Sequence, residues 1–188
     1  MTRIIAGVAG SLKLASPAKT TRPTSDRIRE SIFSRLEARD LLDGARVLDL
    51  YAGTGALALE SASRGASLAW MVERDGKAAA VCVANLKSVA KALFKEEIEF
   101  DGKVVNKSVS AFLASPGVDV LSLVFIDPPY EIGNEEVQEN LEALKPFLKD
   151  ATIVVERSSR TESPVWPVGY TLEDSKSYGD TVTYWLSA

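Results

Sequence analysis

Short apolar runs alternate with longer stretches of helical periodicity over most of the chain, a pattern that predicts strands exchanging with helices. ARVLDLYAG (45–53), SLAWMVERD (67–75), KVVNKS (103–108), VLSLVFIDPPY (120–130) and TIVVERS (152–158) read as strands. Between them ALALESASRG (56–65), DGKAAAVCVANLKSVAKAL (75–93), SAFLAS (110–115) and NEEVQENLEALKPFL (134–148) read as helices. Gly65 ends the first, Asp75 is placed to cap the second, and acids open the last, where the helix dipole favours them. Residues 170–186 read as two strands around the turn pair Gly179-Asp180. Ahead of all these, TRPTSDRIRESIFSRLEA (21–38) reads as a helix. Pro23 precedes it, Thr24 or Ser25 can cap it, and Ile28, Ile32, Phe33 and Leu36 share one face. RIIAGVAGSLKLASP (3–17), broken at Gly7 and Gly10, reads as a small hairpin.

Alternating strand and helix predicts an α/β fold, a mainly parallel sheet with helices on both faces. Ligands of such sheets bind beyond the carboxyl ends of the strands. The expected organisation is a hairpin-like extension over residues 1–21 and a Rossmann-like domain, with its N-terminal helix, over 22–188.

Composition narrows the chemistry. The 188 residues suit one domain, and there is no histidine and one cysteine. Histidine-based triads, proton shuttles and metal sites are therefore excluded, as are internal disulfides and cysteine clusters for zinc. Cys82, in an apolar helical stretch, reads as core packing. No run approaches the roughly 20 apolar residues of a membrane span, and no signal-peptide pattern opens the chain, so a cytoplasmic location is expected. Residues 1–29 hold six basic side chains against Asp26 alone, a charge of +5 on a chain of net −4. A basic end on an acidic body suits a polyanion as well as it suits a solvated terminus.

Two motifs carry chemistry. In LDLYAGTGAL (48–57), Gly53 and Gly55 follow a strand and open a helix, allowing a tight turn and close ligand approach. Glu73 ends the next strand 20 residues after Gly53, where an acid can hold both ribose hydroxyls of an adenosine. Asp49, ahead of the glycines, suits a sulfonium or ammonium better than a pyrophosphate. The pair of features favours S-adenosylmethionine over a dinucleotide.

The second motif, VFIDPPY (124–130), ends an apolar strand in Asp127-Pro128-Pro129-Tyr130. Consecutive prolines make a rigid wall and leave the Pro128 carbonyl as an acceptor. Asp127 and that carbonyl can take the two hydrogens of an exocyclic amine and turn its lone pair toward a methyl donor, while Tyr130 stacks on the ring. Catalysis is then mostly positioning and electrostatics, on a base that is unpaired or flipped out.

RIIAG near the start, RPTSDRIRESIF (22–33), LDLYAGTGALALE (48–60) and VFIDPPY resemble the RsmD-type bacterial 16S ribosomal RNA guanine-N2 methyltransferases of class I fold, in order and over nearly the whole chain. The resemblance implies a seven-stranded sheet whose last hairpin inserts one antiparallel strand, and methyl transfer to N2 of a guanine. It implies Asp127, Pro128, Pro129 and Tyr130 as catalytic. Asp49, Tyr51, Gly53, Thr54, Gly55, Glu73, Arg74 and Asp127 are implied at the cofactor. Ser108 and the Val109 backbone stand where relatives place an amide or acid against adenine. Arg3, Lys13, Lys19, Arg22, Thr24, Arg27 and Arg29 are implied at the RNA. The implied partner is 16S ribosomal RNA, naked or within a small subunit, met by a monomer.

The amine chemistry alone also fits adenine N6 or cytosine N4 of RNA or DNA. A nicotinamide dehydrogenase has only Gly-x-Gly and Glu73 behind it, and a non-catalytic binder would be expected to have lost Asp127 or the loop. Trp70 and Met71 read as core, Trp166 as packing over the sheet. Glu156 and Arg157 read either as substrate contacts or as a surface pair; Tyr178 is given no role.

Overall fold

The computed structural model of the chain describes residues 2–16, 26–118 and 120–188. Its elements are α1 (Asp26–Ala38), β1 (Arg46–Leu50), α2 (Ala56–Ser63), β2 (Leu68–Val72), α3 (Gly76–Lys95), β3 (Asp101–Val105), α4 (Val109–Leu113), β4 (Leu121–Ile126), α5 (Asn134–Leu144), β5 (Leu148–Ser158), β6 (Thr171–Tyr178) and β7 (Thr181–Ser187). One 3-10 turn, Lys145–Phe147, joins α5 to β5. The seven strands form one sheet in the order β3-β2-β1-β4-β5-β7-β6. The first five are parallel, and β7 runs antiparallel to both its neighbours.

Helices cover both faces because each strand alternates its side chains between two apolar cores. On one face α1, α2 and α3 pack on Val47, Met71, Phe125, Val154 and Trp185. On the other, α4 and α5 pack on Leu50, Trp70, Val72, Ile126 and Val155. Cys82 and Met71 are fully buried, and the Cys82 thiol is pushed up to about 12, by burial first and then by the neighbouring Asp49 and Glu73 charges. Trp166 packs on Tyr184 at 5.2 Å between ring centroids.

Helix α1 ties the start of the domain to its end. Its apolar face buries Ile32, Phe33 and Leu36, and Phe33 meets Phe125. Ser31 hydrogen-bonds Tyr178, while Arg35 pairs with Asp174 and lies over the Trp185 ring at 4.4 Å. Tyr178 thus has a structural partner that the sequence did not suggest.

The N-terminal segment 2–16 is a strap rather than a full hairpin. Arg3 and Lys13 form a single antiparallel bridge, and bends occupy the space between. Fully buried Glu60 of α2 accepts from Ile5 N (2.7 Å) and Ala6 N (3.0 Å) and pairs with Arg64, so its charge is satisfied inside the protein. Further on, Asn85 of α3 accepts from Ala15 N, and its amide donates to Ala15 O and to Thr54 O. The strap therefore ends beside the Gly-rich loop.

Three boundaries differ most from expectation. Strand β3 runs from Asp101 to Val105, two residues ahead of the expected stretch, because its pairing with β2 begins at Asp101 opposite Leu68. Helix α5 stops at Leu144, because Pro146 cannot supply a helical N–H, and it serves instead in the 3-10 turn. Strand β5 then starts at Leu148, paired with Leu121, four residues ahead of the expected Thr152. The expected caps Thr24 and Ser25, with Pro23, lie outside the described residues. Among the described residues no helix is long and apolar enough to cross a membrane.

Candidate active site

Strand register assembles the site. Val105, Val72, Leu50, Ile126 and Val155 stand side by side across β3, β2, β1, β4 and β5. The residues one step beyond them are Asn106, Glu73, Tyr51, Asp127 and Glu156. A polar row thus crowns an apolar sheet at its carboxyl edge, where ligands of this architecture bind.

The loop after β1 is shaped by backbone conformation. Tyr51, Gly53 and Gly55 all have positive φ (65°, 54° and 79°). Gly55 is required twice over, since an added Cβ would stand 2.7 Å from Cys82 Sγ and 3.0 Å from Met71 Sδ. At Gly53 an added Cβ meets nothing within 4 Å, so the loop is bare on that side. Glu73 holds this loop: Oε2 accepts from Gly53 N (2.9 Å) and Oε1 from Asp75 N (2.7 Å). Asp75 in turn caps α3 through Lys77 N and Ala78 N. Tyr51, half-buried, donates its hydroxyl to Glu136 (3.1 Å) and accepts from Asn140 (2.7 Å) of α5. Burial, then the Glu136 carboxylate, raises its phenol to about 12, while Asn140 acts in the opposite sense.

Asp49 is 1% exposed at the end of β1, with one weak bond from Ala58 N (3.3 Å). Burial, with the charges of Asp127 and Glu73, raises its carboxyl to about 8. The folded chain therefore keeps a proton that the unfolded chain has released between about pH 4 and pH 8. The stability this group contributes is present below about pH 4 and lost as pH rises through about 8. Asp49→Asn is accordingly expected to match the parent in melting temperature near pH 4 and to exceed it at pH 8. A difference that stays flat across that range would refute the burial argument.

Asp127 is half-buried, Pro128 buried and Pro129 half-buried, while Tyr130 is 67% exposed beyond the strand end. The Pro129 carbonyl closes a turn with Ile132 N (3.0 Å), and no backbone bond among the described residues occupies the Pro128 carbonyl. Arg157, buried in β5, braces the far side of this wall by donating to Ile132 O (2.7 Å) and Asn134 Oδ1 (3.1 Å). Burial lowers its guanidinium from the ordinary value, opposed by Tyr51, Tyr184 and Asp127. Glu156 and Arg157 are both buried, so neither belongs to a surface pair. An exposed ion pair, Arg74 to Glu131 (3.4 Å), bridges the loops after β2 and β4.

Of the other expected residues, Ser108 is the N-cap of α4, accepting from Ala111 N, with Val109 buried behind it. Asn106 was not singled out in the sequence. Its amide donates to Glu73 O and Arg74 O, pinning the β3 loop to the β2 loop. An amide directly after an apolar strand was the available signal.

The expected RNA-contacting residues divide. Arg3, Lys13 and Arg27 lie at the surface; Lys19, Arg22 and Thr24 lie outside the described residues. Arg29 is a correction: its side chain is 1% exposed and donates to Arg3 O and Asp26, so it faces the protein rather than a phosphate. It falls on the buried side of α1 with Ile28, Ile32 and Phe33. Arg29→Ala is expected to destabilise the fold by about 1.5–3 kcal/mol, the range for a lost hydrogen bond to a charged group. It should leave the salt dependence of RNA binding unchanged; a flattened salt slope at unchanged stability would restore the phosphate role.

The family described as "Conserved hypothetical protein 95" matches residues 2–187. Ribosomal RNA small subunit methyltransferase D of Escherichia coli K12 is 35% identical over 94% of this chain and 85% of its own length. The protein of that name from Haemophilus influenzae is 29% identical over 94% and 89%. Among solved structures, yhhF of Escherichia coli superposes with a TM-score of 0.78 at 30% identity, over 98% of this chain and 96% of that one. A hypothetical protein of Thermus thermophilus superposes at 0.80, with 26% identity and 98% of both chains covered. Sequence and fold agree from end to end, and the chain belongs to the conserved hypothetical protein 95 family, that of the RsmD-type methyltransferases.

Proposed function

We propose that this protein is an S-adenosylmethionine-dependent methyltransferase acting on the exocyclic N2 of a guanine in 16S ribosomal RNA. The observation that carries the reading is the carboxyl-edge row, in which Glu73 after β2 and Asp127 after β4 flank the Gly-rich loop that leaves β1. The RNA substrate follows the relatives, named ribosomal RNA small subunit methyltransferase D.

The donor set fits the cofactor. Asp49, Glu73 and Asp127 lie close enough for the other two charges to raise the Asp49 carboxyl. Glu73, which holds the Gly-rich loop, disfavours a pyrophosphate there and suits a sulfonium or an ammonium, while Asp49 is buried and keeps its proton below about pH 8. The side of Gly53 left bare is room for a ligand against the backbone. When bound, S-adenosylmethionine supplies an electrophilic methyl group.

The chain's own residues would do the rest. Asp127 and the Pro128 carbonyl accept the two hydrogens of the guanine amine, which pyramidalises the nitrogen and aims its lone pair. The Asp127 carboxylate is the acceptor for the proton that the nitrogen then sheds. Tyr130, open to solvent, stacks on the flipped base. Arg157 keeps the loop beyond Tyr130 from yielding as the base enters.

Protein mixed with methyl-tritiated cofactor and with unmethylated small subunits, naked 16S RNA or duplex DNA tests the reading. N2-methylguanosine identified by mass spectrometry in subunits or RNA is the expected product. Label in adenine or cytosine would overturn the guanine assignment, and no label in RNA would overturn the substrate.

A further inference from the structure

Cations are distributed unevenly among the helices. In α1 the structure pairs two of the three: Arg29 with Asp26 and Arg35 with Asp174, while Arg64, just past α2, pairs with Glu37 and Glu60. Helix α3 is different. Its 20 residues hold Lys77, Lys87, Lys91 and Lys95 and no carboxylate. All four are exposed, and none has an ion pair to a carboxylate among the described residues.

At 100° per residue the four lysines fall within a sector of about 80°. Phe94, 82% exposed, lies about 20° from Lys87 by the same count. Lysines spaced along one face, with an aromatic ring open to solvent among them, are the footprint of a nucleic-acid backbone. The opposite face of the sheet carries the opposite sign. Helix α5 holds Glu135, Glu136, Glu139 and Glu142, with no cation before Lys145.

Helix α3 starts at the candidate active site, where its N-cap Asp75 donates its N–H to Glu73, and Asn85 on its buried side reaches the loop. Asn85, on α3 between Lys77 and Lys87, bonds Thr54 O of the Gly-rich loop. It also holds Ala15 of the strap, two residues after Lys13 and in the segment bridged to Arg3. Helix α3, the strap and the loop thus pack together on the α1–α3 side of the sheet.

We infer that the exposed face of α3 is an RNA-docking surface that grips the phosphate backbone of the substrate away from the target nucleotide. RNA crosses the molecule over α3 and the strap, and the acidic α5 keeps it off the other side. This inference rests on the RNA-methylation reading above, since it names where that substrate lies. The sequence places the RNA contacts on Arg3, Lys13, Lys19, Arg22, Thr24, Arg27 and Arg29; of these the structure buries Arg29, and it leaves the α3 lysines without a carboxylate partner among the described residues.

The double variant Lys87→Glu/Lys91→Glu tests it, beside Lys145→Glu/Lys149→Glu, which makes the same charge change elsewhere. Methylation rates are measured against RNA concentration at several salt concentrations, and RNA binding is measured separately by gel shift without cofactor. The α3 variant is expected to raise KM for RNA at least tenfold, with kcat within twofold of the parent. The salt slope of binding should be smaller by roughly 1.5, two lost phosphate contacts at about 0.7–0.9 each. The control should change KM by less than threefold. Unchanged KM and slope in the α3 variant overturn the proposal, as does an equal effect in the control. A salt-sensitive dimer dissolved by the α3 substitutions at unchanged KM overturns it too. A parent that labels no RNA, yet binds RNA with the α3-dependent slope, leaves the docking surface standing and removes the reaction assignment instead.

Discussion

Asp127→Ala is expected to lower turnover by about 10²–10³-fold, the cost of removing one positioned group that acts mainly at the transition state. Cofactor affinity should stay within about threefold of the parent, because the cofactor loop is held by Glu73 and by backbone conformation, not by Asp127. Asp127→Asn, which keeps one acceptor oxygen but adds a donor, should fall between. Single-turnover rates alongside calorimetric titration of the cofactor separate the two effects. A large loss of cofactor binding in Asp127→Ala would move this residue from the amine to the cofactor.

Gly55→Val is expected to be the most damaging change to the fold near the site. The left-handed backbone at Gly55 (φ 79°) costs an L-residue about 1–2 kcal/mol. The new side chain would also enter a packed space, 2.7 Å from Cys82 Sγ, where overpacking costs a further ~1–3 kcal/mol. At about 2–4 °C per kcal/mol for a domain of this size, melting should fall by roughly 5–20 °C. Gly53→Ala provides the contrast. Its Cβ meets nothing within 4 Å, so it should lose cofactor affinity with a smaller change in melting. If both variants melt like the parent, the packing argument at Gly55 is wrong.

Periodicity was enough to read the element order, because β2 and β4 are apolar over nearly their whole length, β1 carries Val47, Leu48 and Leu50, and the long helices α1, α3 and α5 each have one apolar face. The two motifs were legible for a related reason: glycines and prolines state backbone demands directly. What stayed hidden depends on neighbours distant in sequence. Arg29 looks like any surface arginine until α1 is rotated against the sheet and the strap's Arg3 carbonyl comes within reach. Glu60 looks like a solvated helix residue, yet it is fully buried as the anchor of residues 5 and 6. Glu156-Arg157 reads as a substrate contact or a surface pair because a charged dipeptide rarely ends a buried strand. The carboxyl-edge row was only half visible. Strands could be found one by one, but the register that aligns Glu73 with Asp127 belongs to the sheet.

The bond between α1 and the terminal hairpin sets the order in which the molecule can be completed. Ser31 and Tyr178 are 147 residues apart, and Arg35 and Asp174 are 139 apart. Trp185, under Arg35, comes later still. On a growing chain α1 emerges well before the β6–β7 surface it covers. Until β7 threads between β5 and β6, Ile32 and Phe33 lack part of their burial, and β5 presents an unpaired edge. Contacts this distant close slowly. The nascent protein therefore needs β7 before it is safe from aggregation, and a chain that stops short of Thr181 should be insoluble rather than partly active.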